Sequence, residues 1–185
     1  DAAIVAAGAS AGLTTQGFSK IDEIPYDFLR RRLTIVVAGD DAPSQHLIVT
    51  KGAFSNVLDI CSSLERDGIE SPLDAKGRAE LEEVFKAKGA EGFRVLALAT
   101  RKVGAKEHHS RDDEQGMTFR GFLVFYDPPK ADAQRTIRDL NRLGIRIKVI
   151  SGDNRYVTAH LAEAVGLNAK SMLTGEDLAT LKDEA

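Results

Sequence analysis

The chain has one cysteine in 185 residues, Cys61, so no internal disulfide can close and a reducing compartment is the expected setting. That thiol is expected to pack in a helix. No apolar run comes near the roughly 18 to 20 residues that a bilayer span needs, and no signal peptide with its cleavage site opens the chain, so it reads as soluble. A surplus of positive charge is also missing. The formal net charge is −3 and the pI is near 5.8, the wrong balance for neutralising a nucleic-acid backbone. His108-His109 lacks a second ligand pair at a supporting spacing, so no metal site is expected and residues 104–116 read as a solvated surface loop. His46 and His160 carry no signal.

What is present is enough apolar material for a core: 43% of residues are hydrophobic, which excludes disorder for the bulk of the chain. The length suits one domain, or a compact domain with part of a neighbour. Asp1-Ala2-Ala3-Ile4-Val5-Ala6-Ala7 reads as the middle of a helix and residues 175–185 as a polar helical stretch, the pattern of a piece excised from a longer protein.

Along the chain, a Gly/Ser/Thr-rich loop over 8–17 leads to a strand beginning over 20–25. Residues 33–37 and 46–50 are β-branched runs joined by a Gly-Asp-Asp-Ala-Pro turn, which predicts an antiparallel hairpin. Phe54, Val57, Leu58 and Cys61 fall on one helical face. Ser71-Pro72-Leu73-Asp74 predicts a helix start with Ser71 as the N-cap, and Leu81, Val84, Phe85 and Lys88 carry that helix to Gly89. Residues 94–100 and 117–126 read as buried strands. Asp127-Pro128-Pro129-Lys130 then ends strand pairing. Beyond it helix and strand alternate: Ala133, Ile137 and Leu140 mark a helix closed by Gly144, and Ile145, Ile147 and Val149 mark a strand. Ser151-Gly152-Asp153-Asn154 turns into a helix with Val157, Leu161 and Val165 on one face, closed by Gly166. A strand, polar turn and helix of this kind form a phosphate-facing crevice in open α/β sheets.

Several side chains could serve such chemistry. Tyr26 could stack on a base beside a phosphate-holding Arg31, or the stretch could be an edge strand with a solvated arginine face; the residues alone favour the second. Lys51-Gly52 offers an ammonium with a glycine that admits a ligand, or a surface lysine beside a turn. Arg94, before an apolar strand, reads equally as a phosphate ligand or as a structural ion-pair partner.

Taken in order, Asp1-Ala2-Ala3-Ile4, Glu23-Ile24-Pro25-Tyr26-Asp27-Phe28-Leu29-Arg30-Arg31-Arg32, Lys51-Gly52-Ala53, Phe93-Arg94-Val95-Leu96-Ala97-Leu98-Ala99-Thr100, Asp127-Pro128-Pro129-Lys130 and Ile150-Ser151-Gly152-Asp153-Asn154 resemble the cytoplasmic region of P-type cation-transporting ATPases. The second of these stretches is similar to bacterial magnesium transporters. The resemblance implies an acidic residue near adenine at Asp1, an adenine-stacking aromatic at Tyr26 with Phe28 as runner-up two along the same strand face, and cations of the nucleotide pocket at Arg31, Lys51 (with Gly52) and Arg94. It implies a hinge at Asp127, Pro128, Pro129 and Lys130, and a phosphoryl-contacting loop at Ser151, Gly152 and Asp153. The family's phosphorylated aspartate, in a DKTGT motif, and its GDGxND magnesium loop are expected before Asp1 and after Ala185.

The expectation is therefore an α/β fold. Residues 1–126 would form a nucleotide-binding domain with an antiparallel sheet flanked by helices, and 127–185 part of a phosphorylation domain of haloacid-dehalogenase type. The chain would bind ATP with Mg2+ without forming the aspartyl-phosphate itself. Its partners would be the remaining phosphorylation, actuator and transmembrane domains of a cation pump, with magnesium as the expected cargo. A soluble haloacid-dehalogenase-type phosphatase is the alternative, although no strand-Asp-x-Asp nucleophile precedes residue 151. A nucleic-acid module built on residues 30–32 is disfavoured by the acidic balance.

Overall fold

Period-two alternation builds the first strands. In the computed structural model, which describes residues 2–180, Arg32–Gly39 and Gln45–Ala53 pair antiparallel with Thr34 opposite Thr50 and Val36 opposite Ile48. Those four side chains are wholly buried while their neighbours are half exposed, as one-sided burial of a pleated strand requires. We number the strands β1 Phe18–Ile24, β2 Arg32–Gly39, β3 Gln45–Ala53, β4 Cys61–Arg66, β5 Ile69–Pro72, β6 Phe93–Gly104 and β7 Met117–Tyr126. They form one sheet in the order β1-β2-β3-β6-β7-β4-β5, so the fold is mixed α/β. β4 runs parallel to β7, an exception to the antiparallel sheet expected from sequence.

The chain divides into two compact units, one of residues up to Leu73 with Ala97–Gly121, the other of Asp74–Leu96 with residues from Phe122 onward. The first unit holds most of the buried apolar side chains, among them Val36, Ile48, Val57, Met117 and Phe119. Its helix α1, Ala2–Ser10, runs into the expected loop and buries no side chain. Its α2 is only Phe54–Leu58, burying Phe54, Val57 and Leu58. The helix stops there, so Cys61 lies in β4 rather than in a helix; it is buried with Leu64 by the strand's own pattern, and its Sγ donates to the Val57 carbonyl at 3.1 Å. Asp67 and Gly68, at φ 52° and 80°, make the two-residue turn between β4 and β5, a hairpin absent from the sequence reading although Asp-Gly is its usual signal. Residues 104–116 are mostly exposed, as a surface loop should be, but not throughout. They contain a 3₁₀ turn, Arg111–Asp113, capped by Ser110, and they bury His109 and Glu114.

In the second unit, α3 spans Ala75–Ala90 and starts three residues later than expected. Ser71 and Pro72 belong to edge strand β5, where a proline costs no central ladder bond, and Asp74 is the N-cap, accepting from Gly77 N at 2.7 Å. α4 is Ala133–Arg142, α5 Arg155–Ala164 and α6 Gly175–Thr180. α3 packs on α5 through glycine: a Cβ at Gly89 would stand 2.8 Å from Tyr156 Cβ, and one at Gly92 2.5 Å from His160 Cδ2. His160 Nδ1 donates to the Ala90 carbonyl at 3.0 Å. The strand expected over 145–150 is not formed. Ile145, Val149 and Ile150 are exposed, because an alternating pattern supplies one face but a strand also needs a hydrogen-bonding neighbour, and none is found among the described residues.

Candidate functional site

In the first unit the site begins with a turn. Asp27 Oδ1 accepts from the backbone N–H groups of Leu29 and Arg30 at 2.9 and 2.7 Å, and Arg31 N donates to the Asp27 carbonyl at 2.8 Å. This aspartate-led turn ends with Arg31 in the left-handed region at φ 47°. Tyr26 and Phe28 therefore lie on a loop rather than along a strand, which corrects the shared strand face expected for them. They meet edge to face with centroids 5.7 Å apart, Tyr26 51% exposed and Phe28 86%.

Below the turn the three arginines divide by parity. Arg30 Nη1 donates to both carboxylate oxygens of Glu114 at 2.7 Å, and Arg32 Nε donates to Oε2 at 3.0 Å. Thr34 Oγ1 donates to Oε1 at 2.6 Å and lies 2.7 Å from Thr50 Oγ1. The Arg30 guanidinium also bonds Asp27 and, at 2.6 Å, the Pro25 carbonyl. Arg31 is exposed. Burial pushes the Glu114 carboxyl up, but the bonds from Thr34, Arg30 and Arg32 outweigh it and hold the group below its ordinary 4.5. The sequence reading took residues 30–32 as a solvated face and placed Glu114 in a solvated loop. The available signal was the period: Arg32, Thr34 and Val36 share one strand face, and that face is the core.

Lys51 is half-buried on β3 beside the buried Gly52. Gly52 faces Arg32 across the ladder, and a Cβ there would stand 2.5 Å from both the Arg31 carbonyl and Arg32 Cβ. The close approach present there is that of residues 31 and 32. Elsewhere in this unit, His46 Nδ1 and His109 Nε2 are 2.9 Å apart, and the His109 N–H donates to Asp22 at 2.8 Å. Burial, with Lys106 and His46 close by, lowers the His109 ring below its ordinary 6.5 against the attraction of Asp113 and Asp22. Among the described residues no group of three or more His, Cys, Asp or Glu is arranged to hold a metal ion.

The other sequence-predicted residues that the structure describes belong to the second unit. Arg94, 60% exposed, pairs with Asp153 at 2.7 Å, and the two line a small recess of about 80 Å³ with Tyr126, Asp127, Pro129 and His160. Ser151 Oγ accepts from Asp153 N at 3.1 Å, folding the 151–153 loop on itself. Asn154 caps α5 by accepting from Tyr156 N and Val157 N, so two of the N–H groups that a phosphate would use there are already satisfied. Asp127, Pro128 and Lys130 are exposed and Pro129 half-buried, in a stretch without regular structure. A larger open groove of about 480 Å³ is apolar, lined by Pro129, Ile137, Val149, Leu161 and Val165 among others, and carries no chemistry of its own. Asp1, expected near adenine, lies outside the described residues.

The family described as "P-type ATPase, cytoplasmic domain N" matches residues 1–132. The chain belongs to the P-type ATPases. Over 176 residues it is 36% identical to the magnesium-transporting ATPase, P-type 1, of Escherichia coli (strain K12), covering 95% of this chain and 19% of that one. The protein of the same description from Salmonella typhimurium (strain 14028s / SGSC 2262) is 36% identical over 169 residues, with 91% and 18% covered. The calcium-transporting ATPase 1 of Yarrowia lipolytica is 29% identical over 178 residues, with 93% and 19% covered. This P-type ATPase chain thus spans about a fifth of the length of the curated relatives it matches. None of its described helices is long and apolar enough to cross a membrane.

Proposed function

We propose that the chain is the nucleotide-binding portion of a cation-transporting P-type ATPase, with magnesium as the cargo, and that its first unit takes the base and phosphates of ATP as the magnesium complex. The observation that carries this is Phe28. This phenylalanine, 86% exposed on a turn in which Asp27 accepts from the N–H groups of Leu29 and Arg30, meets the Tyr26 ring edge to face and leaves most of its surface open for stacking. Stacking of a base on such a ring contributes about 1–3 kcal/mol. Exposure supports Phe28 as the platform with Tyr26 as its buttress, reversing the order that the sequence suggested. Arg31, and the ammonium of Lys51 on the adjoining strand, supply positive charge for phosphates, while Gly52 lets their two strands approach.

In the second unit Arg94 and the 151–153 loop are the phosphoryl-directed groups. Arg94 would exchange its exposed pair with Asp153 for a phosphate, at little cost because such pairs are worth at most about 1 kcal/mol. Asp127, Pro128, Pro129 and Lys130 would be the hinge, with nucleotide-binding residues to 126 and phosphorylation-domain residues after. Binding of this kind works by positioning and charge neutralisation. The family's DKTGT motif is not in the 185 residues, so this chain alone would form no aspartyl-phosphate and would depend on actuator, phosphorylation and membrane domains of a parent protein.

Calorimetric titration with a non-hydrolysable ATP analogue tests the pocket. Wild type should bind, Phe28→Ala and Lys51→Ala should each bind roughly tenfold or more weakly, and Tyr26→Ala should lose less than Phe28→Ala. No heat up to millimolar analogue, or both of the first two variants binding as wild type does, would remove the assignment.

A further inference from the structure

The side chains at residues 26, 28 and 29 are all exposed, Leu29 at 91%, so packing does not hold the segment that carries the aromatic pair. What holds it is polar. Arg30 bonds the Pro25 carbonyl at 2.6 Å and the Asp27 carboxylate, which ties the start and the middle of the segment to one guanidinium. That guanidinium is in turn fixed by Glu114, a residue more than eighty positions along the chain with no exposed side-chain surface. Glu114 gathers the main route from the turn into the folded body: Arg30 donates to both its oxygens, Arg32 reaches it from β2 while also bonding the Asn56 carbonyl at 3.1 Å, and Thr34 completes its acceptor set, with Arg111 adding a second, exposed tie to Asp27 at 3.4 Å.

We propose that Glu114 is a positioning residue for nucleotide: it orders the 25–30 segment before ligand arrives, acting through Arg30 and touching no ligand itself. This rests on the nucleotide reading given above. Without the anchor, Tyr26 and Phe28 would have to be ordered on binding, and ordering two side chains with their loop weakens affinity by about tenfold or more. The carboxylate's lack of exposure leaves it no other task at the surface, and its charge is matched within the cluster.

The chain has no tryptophan, so Phe28→Trp provides a single indole, excited selectively over the tyrosines, on the segment. Time-resolved anisotropy of that indole, and calorimetric titration of the 185-residue protein with the ATP analogue, are compared for Glu114→Gln, for the milder Arg30→Lys, and for Val36→Ala. The last removes buried volume from the same strand without touching the cluster. The expected result is a mobile indole and binding weakened about tenfold or more in Glu114→Gln, with a smaller change in the same sense in Arg30→Lys. Val36→Ala should lower the melting temperature with the indole still fixed and binding unchanged. If Glu114→Gln does not fold, Arg30→Lys decides alone. Unchanged anisotropy and affinity in the cluster variants, or an equal loss of affinity in Val36→Ala, overturns the proposal. If wild type binds no analogue while the indole is still freed by the cluster variants, the nucleotide reading fails and the anchoring of the segment stands.

Discussion

Gly52 illustrates how a residue singled out for a ligand can also carry a structural reason for being glycine. Its hydrogen is needed because β2 turns in at Arg31 and Arg32 and would place a methyl 2.5 Å from both. Gly52→Ala should therefore destabilise the fold by about 1–3 kcal/mol through overpacking, read as a lowered urea midpoint at constant m-value, even with no nucleotide present. Loss of analogue binding at unchanged stability would instead return the glycine to the ligand. The candidate aromatics and cations were legible as residue types at plausible positions. The carboxylate that holds Arg30 and Arg32 was not, because Glu114 lies in a charged stretch whose sequence looks solvated, and only its place between β6 and β7 shows it to be interior. His109 was hidden in the same way.

At the scale of elements, the runs that became β2, β3, β6, β7, α4 and α5 could be read from alternation and helical spacing, since burial on one face was the dominant constraint. Boundaries set by a local cap were harder. Ser71-Pro72-Leu73-Asp74 satisfies the rules for a helix start, yet the pairing of Ser63 with Pro72 extends β5 through it and hands the cap to Asp74. Two substitutions separate these readings: Asp74→Ala should cost about 1 kcal/mol in chemical denaturation, and Ser71→Ala should stay within about 0.5 kcal/mol. The reverse order of effects would restore Ser71 as the cap. The missing strand over 145–150 has a different cause. Ile145, Ile147 and Val149 do alternate, but alternation says which side would be buried and is silent about what would lie alongside.

Over the whole molecule, acid should act in two stages. His109, facing His46, Asp113, Lys106 and Asp22, titrates below 6.5 when folded, so the unfolded chain takes up its proton first and stability falls as the pH drops from about 6.5. Glu114 then follows. Its folded carboxyl lies below 4.5, and the stability it provides is present above that value and lost as the pH falls through the lower folded value. Asp22, Asp27 and Asp113, also held low, add to the second stage. Urea midpoints between pH 7.5 and 3 should show both limbs, and His109→Gln should flatten the first while leaving the second. A first limb that survives His109→Gln would assign it to another group. The second unit adds little to the buried core: of the buried apolar side chains among the described residues, only Leu81, Val95 and Val165 belong to it.

The division of three consecutive arginines between interior and surface has a consequence for any survey of substitutions. A screen that scores folding alone should tolerate most replacements of Arg31 and reject those of Arg30 and Arg32, whose loss leaves a buried carboxylate short of a partner. Scored for nucleotide capture among folded variants, the same library should report on Arg31 through lost charge and on the surviving Arg30 variants through the loosened segment. One run of identical letters would thus carry two separable kinds of information, alternating residue by residue, and a substitution table that treats arginine as arginine would average them away.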